Sequence, residues 1–233
     1  MLWVAMDRTE QSLEIFFEIL GQRKSAGLRF TCSDMWKPYL NVLRERARNA
    51  LLVLDRFHVM AKLNKALDEV RAAEARRLQQ DGYEPVLKHS RWCLLKRPEN
   101  LTDQQTVKLS ELLKYNLQSV RAYLLREDFQ RFWEYRSPVW AQKFLDEWCG
   151  RAMRSKIEPL KKMARTLRKH SDLLLNWFHA EGTISSGSVE GLNNKAKLIM
   201  RKAYGFRTEN AIRIALFHGL GKLPGPKFTH EFC

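Results

Sequence analysis

The chain has 233 residues, 45% hydrophobic and 11% aromatic, ample material for a packed core. Its 41 Lys and Arg outnumber 26 Asp and Glu, and the net +15 points to a polyanionic partner without separating DNA, RNA and an anionic membrane. Four scattered cysteines (Cys32, Cys93, Cys149, Cys233), an apolar start too short for a signal peptide and no run near the roughly 20 apolar residues of a membrane span argue against a disulfide scaffold, a zinc finger or a membrane protein, and favour a soluble intracellular chain.

In chain order, LWVAM at 2–6 reads as a short strand, and TEQSLEIFFEIL at 9–20 as a helix with Leu13, Phe16, Phe17 and Leu20 at helical spacing, stopped by Gly21. LRFTCSD at 28–34 alternates Leu28, Phe30 and Cys32 like a strand. WKPYLNVLRERA at 36–47 reads as a helix, and ALLVLDRFHV at 50–59 as a continuous apolar strand. Strand, helix, strand, helix, strand implies an α/β sheet with some parallel pairing. The two later strands carry Asp34 and Asp55, and sites in open α/β sheets form at the carboxyl ends of strands.

After Val59 the pattern is helical to about Ala180. Thr102 with Gln105 forms a capping box that opens a long helix, Ser137 before Pro138 opens another, and Pro159 is expected to break or kink the next run. In the last helix Leu192, Ala196, Ile199 and Ala203 form an apolar stripe. Glu190, Asn194, Lys197 and Arg201, two residues earlier and so about 200° round the helix, form the opposite face. From Arg151 to Arg207 there are 13 Lys and Arg (151, 154, 156, 161, 162, 165, 168, 169, 195, 197, 201, 202, 207) against four acids (158, 172, 181, 190), a local net of +9.

Carboxylates at strand ends and on a nearby helix, set in a basic surface, suit phosphoryl transfer assisted by two divalent ions about 3.5–4 Å apart, with Asp34 and Glu190 as candidate ligands. The competing reading makes Asp34 the cap of the following helix and pairs Glu190 with Lys197 or Asn194. SSGS at 185–188 lacks the G-x-S-x-G spacing of a serine hydrolase, and the chain has no phosphate-binding G-x-x-x-x-G-K-[ST] loop.

The runs DMWKPYL (34–40), DRFHV (55–59), VRAAEARRL (70–78), LLKRPENLT (94–102) and GSVEGLNNKAKLIMRKAYGFR (187–207) together resemble the DDE transposases of the ISL-three insertion-sequence family over nearly the whole chain. The resemblance implies a mostly helical α/β protein. Residues 1–59 would be part of an RNase H-like core with a mixed sheet, 60–181 a large all-helical insertion, and 182–233 the core helix with the final acid and a tail. It implies Mg²⁺ or Mn²⁺ as cofactor, Asp34 as the second and Glu190 as the third acid of the triad, and DNA strand cleavage and joining at element ends. Asp55 and His58 fit an Asp-x-x-His signature following the second acid; whether Asp55 ligates metal, or is itself the second acid, stays open, and a lone His58 is ordinarily a satisfied strand-end residue.

In the family the first catalytic Asp lies upstream of 2–6, after a zinc-binding and helix-turn-helix region. The expectation is therefore an N-terminally truncated chain, inactive alone. Asp7 and Glu10, at a helix start, are ordinary for that position. Lys195, Lys197, Arg201, Lys202 and Arg207, with Arg165, Arg168 and Lys169 of the run RTLRKH, are the expected DNA contacts; a solvated helix face is the competing reading of that run. The expected partners are transposon-end and target DNA, a second copy, or the full-length transposase in a mixed oligomer. The expected location is the bacterial cytoplasm at the nucleoid. Two other readings remain: a non-catalytic remnant that binds DNA or transposase, and a stand-alone nuclease using Asp34, Asp55 and Glu190. Any one of the seven tryptophans is more readily a core residue than a base-stacking one.

Overall fold

The computed structural model describes the chain except at residues 1, 2, 4, 6, 183–186, 204, 205 and 222–233 and the side chains of 187–190, 192 and 193. Contacts divide the chain into two units, the first formed by residues 1–29, 36–50 and 185–233 and the second by 30–35 and 51–184. The expected strand at 2–6 falls largely outside the described residues, and Trp3 and Ala5 have no strand conformation.

In the first unit, Thr9 caps α1 (Glu10–Leu20) by accepting from the Ser12 N–H, and Gly21 ends it at φ 79°, a value that favours glycine. The helix buries Phe17 against Val42 and Ala47 of the segment holding α3 (Lys37–Arg46), with Leu13, Phe16 and Leu20 around them. A short helix α2 (Gln22–Ala26) lies between them in sequence. Further along the chain, α11 (Gly187–Lys202) packs on α12 (Glu209–Leu220), whose Gly219 leaves the space that Ile199 fills.

The second unit is built on β1 (Phe30–Ser33) and β2 (Leu51–Leu54), a parallel pair in the register Phe30 to Leu51 through Ser33 to Leu54. Among the described residues the sheet has these two strands, where a mixed sheet is expected from the resemblance. The second strand is shorter than its apolar run. Asp55 accepts from the Phe57 N–H and starts α4 (Arg56–Gln80), so Phe57 to Val59 are helical rather than extended. Free of Gly and Pro, α4 runs for 25 residues and buries Val59, Leu63, Ala66, Leu67 and Val70.

Around it pack α5 (Arg91–Leu95), α7 (Gln118–Gln130) and α9 (Glu158–Lys169), while α6 (Asp103–Leu112) packs on α5 and α8 (Pro138–Arg154) on α9. The Thr102–Gln105 capping box is formed, but the helix it opens stops after ten residues, where Leu112 is buried with Leu87 and Val120. Pro159 sits in the first turn of α9, after a break at 155–157, so it starts a helix instead of kinking one. The last element, α10 (Ser171–His179), covers β2, and Asn176 Nδ2 donates to the Leu52 carbonyl at 2.8 Å. Trp148, Phe129 and Phe132 are fully buried at the centre of the helical block, and Trp133, Trp177 and Phe178 pack edge-on beside them.

Candidate functional site

The parallel register brings two of the candidate acids to one place. Ser33 pairs with Leu54, and the Asp55 N–H continues the ladder by donating to the Ser33 carbonyl at 2.9 Å. Asp34 and Asp55 are therefore the next residues on neighbouring strands about 4.8 Å apart, both at the carboxyl ends. Asp34 is half-buried. The residue before α3 is Trp36, whose side chain makes no capping bond.

Asp55 is the acid that caps. It is 2% exposed, with Oδ1 accepting the Phe57 N–H at 3.0 Å and Oδ2 lying 3.5 Å from Nε2 of His58. The imidazole is mostly exposed in the first turn of α4, so Asp55 meets an exposed His58 through its Nε2. Behind the acids, burial and then the Asp55 charge push the Cys32 thiol up to about 11.

Glu190 stands in the first turn of α11, in the first unit, and its side chain lies outside the described residues. Farther along the same helix Asn194, Lys195, Lys197, Arg201 and Lys202 are exposed and Ala196 and Ile199 half-buried, as expected from spacing, whereas Ala203 of the expected apolar stripe is exposed and the Leu192 side chain lies outside the described residues. Arg207 is also exposed. In the second unit α9 buries Leu160, Met163, Ala164 and Leu167 and turns Lys162, Arg165, Arg168 and Lys169 to solvent. Arg165 is tied to Glu158 at 3.0 Å, and hydrogen bonds from Lys161 and Arg165 hold the Glu158 carboxyl below its usual range.

Among the described residues no group of three or more His, Cys, Asp or Glu is placed to hold a metal ion, and no helix is long and apolar enough to cross a membrane. Carboxylate oxygens are nonetheless the donor type that Mg²⁺ and Mn²⁺ prefer, and two such groups meet at the strand ends. Sequence reading missed two things here. One is the buried Glu74, whose partners lie 44 and 45 residues away. The other is the acid-free run KHSRWCLLKR at 88–97, visible in the sequence as a charge excess.

The described residues thus form a parallel strand pair ending in two acids and largely helical surroundings with exposed basic residues. The family model described as "Transposase", the DDE type of the ISL-three insertion sequences, matches residues 1–216. The chain belongs to that family. It is 33% identical over 211 residues to the transposase for insertion sequence element IS1001 of Bordetella parapertussis, covering 90% of this chain and 52% of that protein. It is 30% identical over 241 aligned residues to the transposase for insertion sequence element IS1557 of Mycobacterium tuberculosis strain H37Rv, covering 91% and 52%. The chain thus spans about half the length of the curated relatives it matches. No solved structure matches it.

Proposed function

We propose that this chain carries the catalytic acids of a DDE transposase and acts in DNA strand cleavage and transfer at insertion-sequence ends. The observation that supports the reading best is the meeting of Asp34 and Asp55 at the ends of two parallel strands in register. Asp34 and Glu190 would hold Mg²⁺ or Mn²⁺, with Asp55 next to Asp34. When bound, the ions supply activation of the attacking hydroxyl and stabilisation of the leaving oxygen.

The chain's own residues do the rest. Asp55 fixes the start of α4 through the Phe57 N–H and meets His58 Nε2, which keeps the end of β2 and the acid beside it in one geometry. Lys195, Lys197, Arg201, Lys202 and Arg207, with Arg168 and Lys169, hold phosphates of the DNA backbone. Arg165 contributes after release from Glu158. An RNase H-like arrangement of the core belongs to the same proposal.

The test is calorimetric titration of the purified chain with Mn²⁺, comparing wild type with Asp34→Ala and Glu190→Ala and using circular dichroism to verify the fold. The proposal expects weaker binding in both variants. Equal binding in all three proteins would remove these acids from the site. The exposed cations of α9 and α11 also favour a second reading, a non-catalytic DNA- or transposase-binding remnant. It expects DNA affinity that falls steeply with salt and does not respond to either acid substitution.

A further inference from the structure

The helical unit carries a second concentration of charge that the site above does not use. From Lys88 to Arg97 the chain reads KHSRWCLLKR, with Lys88, Arg91, Lys96 and Arg97 and no acid, so ten residues hold +4 of the net +15. The segment is firmly seated. Ser90, Cys93 and Leu94 are buried, Ser90 Oγ donates to the Leu87 carbonyl at 2.7 Å, and α5 packs on both α4 and α6. His89 adopts φ 60°, a left-handed value unusual outside glycine, as the chain turns into α5. With those residues facing inward, Lys88, His89, Arg91, Trp92 and Arg97 are left on the outside.

Trp92 is the informative one. It is 54% exposed, whereas the core tryptophans Trp133, Trp148 and Trp177 are at 7%, 0% and 9%. Arg91 stacks on the indole at 5.1 Å and is itself held by Asp68, 3.1 Å from its Nε, so the exposed ring is braced. Lys88 has no ion-pair partner among the described residues, and Arg97 reaches Glu99 at only 3.8 Å. Exposed cations that are unpaired or only loosely paired select a polyanion, and a braced flat aromatic face among them selects a polyanion that carries planar groups. A nucleic acid has both features and an acidic peptide has one. In a duplex the base faces are covered by their neighbours, so stacking on Trp92 calls for an unpaired base.

We propose that residues 88–97 form a DNA-contacting surface in which Lys88 and Arg97 meet backbone phosphates and Trp92 stacks on an unpaired base. The proposal rests on the transposase reading and adds a contact surface separate from α9 and α11. It is tested by fluorescence anisotropy of labelled oligonucleotides, single-stranded and blunt duplex, across a salt series. Trp92→Leu is expected to weaken single-strand binding roughly tenfold while leaving duplex binding within about twofold, and Trp92→Phe, which keeps a stacking face, to retain most of it. Lys88→Gln with Arg97→Gln is expected to weaken both and to flatten the salt slope by about two.

If these variants bind like wild type while Lys197→Gln with Arg201→Gln binds more weakly, the 88–97 surface is wrong and the DNA reading stands. If the wild-type chain binds no DNA at low salt, both fail. A preference of more than about tenfold for RNA of the same sequence would overturn DNA as the partner.

Discussion

Glu74→Gln is the substitution whose cost follows most directly from the structure. Glu74 is 4% exposed on the buried face of α4 and accepts the N–H groups of Gln118 at 2.8 Å and Ser119 at 2.7 Å, the first two residues of α7, together with the Ser119 hydroxyl at 2.7 Å. The residue preceding that helix is Leu117, which has no side-chain acceptor, so Glu74 caps α7 from another helix. Glutamine keeps one oxygen and turns an amide N–H₂ toward a donor. The Ser119 hydroxyl can rotate to accept, but one buried backbone N–H loses its partner, at about 1–3 kcal/mol. Loss of the negative charge from the helix N-terminus adds about 0.3–2 kcal/mol. The sum is roughly 1–5 kcal/mol, and Glu74→Ala, which loses these three bonds and the 3.4 Å contact from Arg77, should cost about 3–5 kcal/mol. Urea unfolding followed by circular dichroism measures both, against a total stability on the order of 5–15 kcal/mol. A Glu74→Gln cost below about 1 kcal/mol would refute the reasoning, because it would mean that the buried carboxylate does not hold α7.

Further outcomes follow from single contacts. Asp55→Ala removes the acceptor of the Phe57 N–H and should cost about 0.5–2 kcal/mol, while Asp55→Asn keeps an oxygen there and should unfold within about 1 kcal/mol of wild type; Mn²⁺ titration of the Asn variant then reports the charge alone. Burial pushes the Cys149 thiol to about 11 although Arg168 draws it down, and Cys32 stands at about the same value, both above the ordinary 9.0. Between these values the unfolded chain loses protons that the folded chain keeps. The thiol contribution to stability is therefore complete below pH 9 and lost as pH rises through 11, which unfolding at stepped alkaline pH checks. Gly182→Ala places a methyl 2.9 Å from the Trp177 ring at φ 64° and should lower stability by about 1–2 kcal/mol or more in thermal unfolding.

What could be read from the sequence was local. Gly21 as a stop, the Thr102–Gln105 box, Ser137 before Pro138 and the strands ending at Asp34 and Asp55 each depend on neighbours a few residues apart. Misreadings came where distant contacts decide. The apolar run to Val59 continues the strand pattern, and the Asp55 side chain overrides it; the helix opened at Thr102 stops after ten residues at Leu112, which is buried with the distant Leu87 and Val120. The same distinction separates the runs that carry the family resemblance. DMWKPYL and DRFHV belong together because a parallel register, invisible in one strand's sequence, sets their acids side by side. VRAAEARRL lies in α4, and its one acid is buried and holds the start of α7. A shared run in this family can therefore mark the framework rather than the chemistry. An acid is a better candidate for catalysis when, like Asp34, it stands at a strand end next to a second acid than when, like Glu74, backbone donors already surround it.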